Sequence, residues 1–379
     1  MLPISIEIGL RITRPPDDKE HRVRIADSQQ ISYDTRRGNQ VIDALRSQGI
    51  PAYPAVLPSI LLNSPRFSTE NHDLVPISGI SNHLIVYCNE SGIWKTYHSD
   101  KYGFNNPAND LYIKDIDIAL VGDSFMDGAC VPYNEEIASH LIDAGHTVLN
   151  LGRGGNDPLF TLATLREYTT HIEPPIVVWG YYEGNDLLGL NTTKDHEILS
   201  KYFNGNFTQN LFYRQQEVDN VLMQFADNEI FIQQEQQQQS YLIKHELIQL
   251  MKLSELRLRL NLITASYNCP SSDVEQFLAI LKMAKDEVAQ WGGTLYFAYF
   301  PSWERYSNKI YGASCMLDKR EKILEEIEKL DIPIMDVQQR FDAHKDPLSL
   351  FTFRLHGHYN GDGYKLVAQE IKAQLTLDK

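Results

Sequence analysis

The alternation of apolar and polar positions changes character near residue 116. Beyond it, short apolar runs at 116–121, 147–151, 176–182, 294–300 and 332–337 alternate with stretches of helical spacing at about 134–144, 158–170, 273–290 and 318–329. Apolar runs of this length predict strands buried on both faces, and their alternation with helices predicts a parallel sheet covered on both sides. One interval breaks the rhythm. Between 191 and 270 there is no core-strand pattern, only amphipathic helical segments and the tract Gln233-Gln234-Glu235-Gln236-Gln237-Gln238-Gln239. That interval predicts a helical insertion forming a lid or side wall over the crevice, with the glutamines on a solvated face.

Before residue 116 the chain is patchier, with prolines at Pro15-Pro16, Pro51, Pro54 and Pro58. Val41, Ile42 and Leu45 give one helical pattern within 33–49, stopped at Gly49. Residues 83–87 and 93–97 read as the two strands of a hairpin. The expected organisation is an accessory region over 1–115 and a main α/β domain over 116–379, with 191–270 inserted in it.

Composition narrows the partners. The 379 residues are 42% hydrophobic and 22% charged, ordinary for a chain with a packed core. A net charge of -15 and the lack of any Lys/Arg stripe make nucleic acid an unsuitable partner. No apolar run reaches the ~18 residues of a membrane span, and the first residues lack the basic and apolar regions of a signal peptide. Cys88, Cys130, Cys269 and Cys315 form no C-x-x-C pair, so a structural zinc is not expected. Cys88 and Cys130 fall near the elements expected around the site. Both a disulfide between them and two reduced, buried thiols fit the sequence.

The candidate chemistry begins where the first strand of the main domain ends. Ile118 to Val121 run into Gly122-Asp123-Ser124-Phe125, a turn that exposes the Ser124 hydroxyl at the carboxyl edge of the sheet, where open α/β folds keep their sites. Two more loops reach the same edge: Asn150-Leu151-Gly152-Arg153-Gly154-Gly155-Asn156-Asp157 and Tyr181-Tyr182-Glu183-Gly184-Asn185-Asp186. Glycine N–H groups and the Asn185 amide in those loops are suited to an oxyanion. Near the end, His358 in Phe353-Arg354-Leu355-His356-Gly357-His358-Tyr359-Asn360 precedes a closing helical pattern, from which a general base can reach back to Ser124. His356 and His358 could also be read as a metal pair with Asp123 or Asp362, but no ligand spacing supports that reading.

These blocks, in this order, resemble the SGNH/GDSL hydrolases. Gly122-Asp123-Ser124-Phe125 is similar to the block that carries the nucleophile, matching Ser124. Asn150 to Gly155 is similar to the block that supplies an oxyanion glycine, matching Gly155. Gly184-Asn185-Asp186 matches the block with the oxyanion amide, Asn185, and His358-Tyr359-Asn360 occupies the place of the base. The resemblance covers about 116–190 and 290–375. It implies a three-layer, flavodoxin-like α/β fold and serine ester hydrolysis without a metal or other cofactor.

One departure from the family pattern concerns the acid. The family's Asp usually stands three, sometimes two, residues before the His, where this chain has Leu355 and His356. Glu183 is the candidate third residue, with a backbone carbonyl or a water as substitutes. The flanks Tyr33-Asp34-Thr35-Arg36, Ala52-Tyr53-Pro54, Cys88-Asn89-Glu90, Ser99-Asp100-Lys101-Tyr102-Gly103-Phe104-Asn105-Asn106 and Glu183-Gly184-Asn185-Asp186 resemble SGNH-like proteins of bacterial exopolysaccharide machinery. That narrower resemblance implies an acetylated carbohydrate or polysaccharide as substrate and an extracytoplasmic location. It also implies an anchor before the Glu7-Ile8-Gly9-Leu10-Arg11 stretch. The aromatics Tyr181, Tyr182, Trp303 and Tyr359 suit either sugar stacking or plain packing. An esterase, an O-acetyltransferase using the same site, and a non-catalytic carbohydrate-binding or scaffold protein are the functions carried forward.

Overall fold

The computed structural model describes residues 18–64, 73–107, 109–113, 115–227, 271–307 and 317–377. Cys269, Cys315, the glutamine tract and the rest of 228–270 lie outside the described residues. In the first part of the chain, helices α1 (Asp18–Ser28) and α2 (Gly38–Ser47) precede strand β1 (Ala52–Pro54) and helix α3 (Pro58–Asn63). Strands β2 (Leu84–Val86) and β3 (Thr96–His98) follow. The expected hairpin is present, with Ile85 opposite Tyr97, and β1 adds to it in parallel. Its strands are shorter than the apolar pattern because residues 87–95 open into a loop, and that loop proves central to the site.

The main domain runs β4 (Ile118–Val121), α4 (Ser124–Asp127), α5 (Ile137–Asp143), β5 (Val148–Asn150), α6 (Pro158–Tyr168), β6 (Ile176–Tyr182), α7 (Asp186–Thr193) and α8 (Gln215–Asp227). It continues with α9 (Ser271–Gln290), β7 (Thr294–Phe300), α10 (Arg320–Lys329), β8 (Ile334–Asp336), α11 (Val337–Ala343) and α12 (Gly361–Leu377). The five strands pair in parallel in the order β5-β4-β6-β7-β8. Numbered within the sheet this is 2-1-3-4-5, the flavodoxin-like order, whose switch point lies beside the first strand. Ser124, just past β4, stands at that point.

Alternate residues of each strand enter opposite layers, as the two-residue period requires. Ala119, Val121, Leu149, Val177, Trp179, Phe297 and Tyr299 belong to one apolar cluster, which α6 and α9 join with Phe160, Leu162, Phe277 and Leu281. Ile118, Leu120, Val148, Val178, Ala298 and Phe300 belong to the other, completed by α5, α11 and α12 through Leu141, Phe341, Val367 and Ile371. Large side chains such as Trp179 and Phe297 are fully or almost fully buried, each stabilising the fold by about 2–3 kcal/mol through the area removed from water. The three-layer α/β architecture follows directly.

The described residues between 18 and 113 contribute to the core of the main sheet. Val56, Leu61, Ile85 and Phe104 share the first cluster with Leu149, Phe160 and Tyr168. The Asn106 amide pairs with both backbone groups of Asn150, accepting from its N–H at 2.8 Å and donating to its carbonyl at 2.9 Å. The backbone groups of Asn150, on the edge strand β5, are thereby satisfied. Residues 199–227 pack against α6 and the N-terminal segment. Gln209 accepts from the Val75 N–H at 2.7 Å and Asp219 accepts from the Ser81 N–H at 2.8 Å.

Candidate active site

Ser124 is the first residue of α4, and the Asp123 carboxylate caps that helix by accepting from the Phe125 N–H at 2.9 Å. The turn needs a glycine before it. A Cβ on Gly122, at φ +155°, would lie 3.0 Å from the Gly180 carbonyl oxygen of the neighbouring strand. The result is a half-buried hydroxyl held between two buried strands.

His358 meets that hydroxyl, with Nε2 2.8 Å from Ser124 Oγ. The loop bearing His358 is pinned on both sides of the ring. Phe351 and Tyr359 form a β-bridge, the Tyr359 hydroxyl donates to the Pro301 carbonyl at 2.5 Å, and Asn360 donates to the Ser349 carbonyl at 2.8 Å. The imidazole also lies against the Phe125 ring, 4.9 Å between centroids. A ring so packed has one way to face Ser124.

The carboxylate behind the imidazole is Glu90. His358 Nδ1 is 2.8 Å from Glu90 Oε1, and the His358 backbone N–H donates to Glu90 Oε2 at 2.9 Å. Glu183, the residue proposed for this place from the sequence, is committed elsewhere. It accepts from Arg305 Nε at 3.0 Å and the Ser302 N–H at 2.7 Å, and it also takes Arg305 Nη2 and the Tyr299 hydroxyl. Adjacency in sequence misled here: Glu183, just past β6, is held on the side of β7, its N–H donating to the Phe300 carbonyl, while Asn185 stands exposed at the N-cap position of α7.

Glu90 sits on the 87–95 loop, and that loop is fastened to the turn that carries Ser124. Cys88 is joined to Cys130 by a disulfide. Lys95, buried at the far end of the loop, donates to the Gly128 carbonyl at 2.6 Å and to Glu136 at 2.8 Å. Inside the loop, the Gly92 N–H donates to the Asn89 side chain at 2.8 Å, and Asn89 donates to the Asp34 carbonyl at 2.9 Å. The Glu90 loop and the Ser124 turn are thereby tied together at both ends of the loop.

Charge within the site is settled by these contacts. Burial alone would raise the Glu90 carboxyl, but His358 and Arg22 outweigh it and hold the group at about 2. Burial alone would lower His358, and Glu90 followed by Asp123 outweighs it, so the imidazole is raised above its ordinary value. Asp123 itself is raised by burial, with its Oδ2 3.5 Å from Ser124 Oγ. The site thus holds an ionised carboxylate, a basic imidazole and a hydroxyl in line, the arrangement that activates a serine.

Gly155 and Asn185 follow β5 and β6, the two strands that flank β4, so Ser124 stands between their loops. Gly155 has φ +78° and lies beside Ser59 and Leu57 of the N-terminal segment, while Asn185 is exposed at the start of α7. The two histidines of His356-Gly357-His358 face different carboxylates: His356 Nε2 is 3.1 Å from Glu304, and His358 faces Glu90. Glu90, Cys130 and His358 have atoms close enough to hold a cation, but the Cys130 sulfur is bonded to Cys88. Tyr181, Tyr182, Trp303 and Tyr359 are all buried core residues, so plain packing is their role and none offers a face to a sugar.

No protein-family model matches the chain, and no curated protein matches it in sequence. Among solved structures, the chain is similar to a GDSL-like lipase from Bacteroides thetaiotaomicron, at 11% identity over 69% of this chain and 88% of the other, TM-score 0.36. It is similar to an acetyl xylan esterase at 12% identity over 68% and 98%, TM-score 0.35. It is also similar to a two-domain esterase active on acetylated mannans at 13% identity over 69% and 49%, TM-score 0.32. At TM-scores below 0.5 these likenesses carry no argument about activity or substrate.

Proposed function

We propose that this chain is a serine ester hydrolase of the SGNH/GDSL type, removing ester-linked acyl groups, acetyl foremost, from a carbohydrate or polysaccharide. The observation that carries the reading is the unbroken line from Ser124 Oγ through the His358 ring to Glu90, 2.8 Å at each step. Ser124 attacks the ester carbonyl while His358 Nε2 takes its proton, and Glu90 holds Nδ1–H and stabilises the imidazolium. The oxyanion is received by the Ser124 and Gly155 N–H groups and the Asn185 amide. His358 then returns the proton to the departing sugar oxygen, leaving an acyl group on Ser124, and a water activated by the same imidazole releases the acid.

A sugar hydroxyl in place of that water turns the same site into an O-acetyltransferase. The carbohydrate half of the reading is supported by the resemblance of the flanking segments, and the Cys88–Cys130 disulfide suits an oxidising compartment. A non-catalytic scaffold in an exopolysaccharide pathway is disfavoured by a fully assembled acid, base and nucleophile. The test is release of p-nitrophenol from p-nitrophenyl acetate together with intact mass. Release that disappears in Ser124→Ala and His358→Ala, with an acetyl trapped on Ser124, is expected. Release that persists in both variants overturns the assignment. Acetate freed from an acetylated polysaccharide, against acetate moved to an added sugar acceptor, separates hydrolase from transferase.

A further inference from the structure

Arg22 is a buried charged residue that the reaction above leaves without a role. It lies on α1, its side chain 6% exposed, about as far along the chain from the catalytic blocks as the described residues extend. Its Nη1 donates to the Glu90 carbonyl at 3.2 Å, its Nη2 donates to the His356 carbonyl, and Nη2 is 3.7 Å from Glu90 Oε2. One planar fork therefore spans the loop that carries the acid and the loop that carries the base. Gly357 makes the approach possible. At φ +142°, any Cβ there would stand 2.5 Å from Glu90 Oε2 and 2.6 Å from Arg22 Nη2.

Resting on the hydrolase reading, we propose that Arg22 is a positioning residue that clamps the Glu90 loop to the His358 loop and sets a fixed positive charge behind the carboxylate. A lysine cannot reproduce this, because the guanidinium offers donors in a rigid plane to two carbonyls at once. The charged groups facing His358 are Glu90, Asp123 and Arg22, and beyond them Glu304 is paired with His356. The phenols of Tyr33, Tyr182 and Tyr364, which also face Glu90, are raised by burial and stay neutral through the working range. Arg22 opposes the imidazolium, so its removal favours the protonated ring; Glu90, held near 2, stays ionised either way.

The test uses Arg22→Met and Arg22→Lys in the full chain, with kcat, KM and the pH profile on p-nitrophenyl acetate, and an NMR titration of the His358 ring assigned by His358→Gln. In Arg22→Met, kcat is expected to fall about 10–100-fold with KM within about twofold, as a small misplacement of a base does. The acid limb and the ring titration should move up by about half a unit to one unit, from the lost positive charge. Arg22→Lys should leave the limb in place while still losing kcat. A purely structural residue would lower the active fraction and move neither limb nor titration. An unchanged kcat, or an unmoved His358 titration, in Arg22→Met overturns the clamp.

If Arg22→Met does not fold, Arg22→Lys is combined with Glu90→Gln. Its loss should nearly vanish in that background, and a loss that adds in full overturns the clamp. The ring titration needs no substrate. If the wild type hydrolyses no ester while Arg22→Met still shows the upward shift, the clamp stands and the hydrolase reading falls; an active wild type with no shift in Arg22→Met does the reverse.

Discussion

Replacing Glu90 by Gln removes the charge behind His358 while keeping nearly the same volume, and the loss can be sized from the contacts. The carboxyl is held at about 2 against an ordinary 4.5, and its side chain is 17% exposed, so solvent screening leaves most of the interaction intact. A depression of that size corresponds to about 3 kcal/mol. His358 is the larger holder of that charge and Arg22 the smaller, so removing the carboxylate takes away the main stabiliser of the imidazolium. Orientation adds to this. Glu90 accepts from both Nδ1–H and the backbone N–H of His358, and a Gln amide has one acceptor for those two donors. A total fall in kcat of about 10²–10³ is expected, within what loss of a triad acid costs.

The pH profile gives the second readout. Because His358 is raised by Glu90, the wild-type rate should climb on the acid side through a value above 6.5, as the imidazole becomes neutral and able to act as base. Glu90→Gln should move that limb to lower pH. The same groups set the acid stability. Glu90 is depressed, so its stabilisation is present above about 4.5 and is lost as pH falls towards 2; His358 is raised, so its contribution is full below about 6.5 and is lost as pH rises through its folded value. A Glu90→Gln enzyme with kcat within threefold of wild type and an unmoved limb would refute the assignment of the acid.

Three further outcomes follow from particular contacts. Reducing Cys88–Cys130, or replacing both cysteines by Ser, frees one end of the acid loop: kcat should drop at least tenfold, and with a separation of 42 residues the unfolding free energy should fall by about 4 kcal/mol in the chain-entropy account, read by denaturant titration. Gly357→Ala drives a Cβ into Glu90 and Arg22, so its kcat loss should come with a shifted acid limb, not with a change in KM alone. Glu183→Gln breaks the buried pair with Arg305 and should cost about 3–5 kcal/mol of stability while leaving the His358 limb where it was; a limb that moves would return Glu183 to the triad.

How much of this was legible in the sequence depends on whether the signal is local. The period of apolar residues marked every strand of the main sheet, and β6 and β7 fell at 176–182 and 294–300 as expected, because strands buried on both faces leave short continuous apolar runs and the alternation with helices separates them from buried helix segments. Ser124 and His358, which the fold brings to 2.8 Å, stood out in the sequence because each sits in a short turn or loop whose residues must be of particular types, as do Gly155 and Asn185. Glu90 had no such mark. It lies 268 residues from His358, on a loop whose own residues say only that a hairpin is opening, and the acid's usual neighbourhood in sequence holds Leu355 and His356. Glu183 was the nearer carboxylate along the chain, but parallel pairing of β6 with β7 turns it toward Arg305.

The disulfide shows the same division. The sequence by itself determined that Cys88 and Cys130 flank elements of the site and left both oxidation states open. Folding brings their Cα atoms to 5.3 Å, a separation a disulfide spans readily. The pattern along the chain also suggested that residues before 116 were an accessory region, since their elements are short and proline-broken. In the tertiary structure the described residues of that region share the core of the sheet, and they place Glu90 and Arg22 beside His358. Elements and turn chemistry are written in neighbouring residues, whereas the partner that orients a histidine is whichever carboxylate the packed chain brings within hydrogen-bond reach, and only the assembled fold selects it.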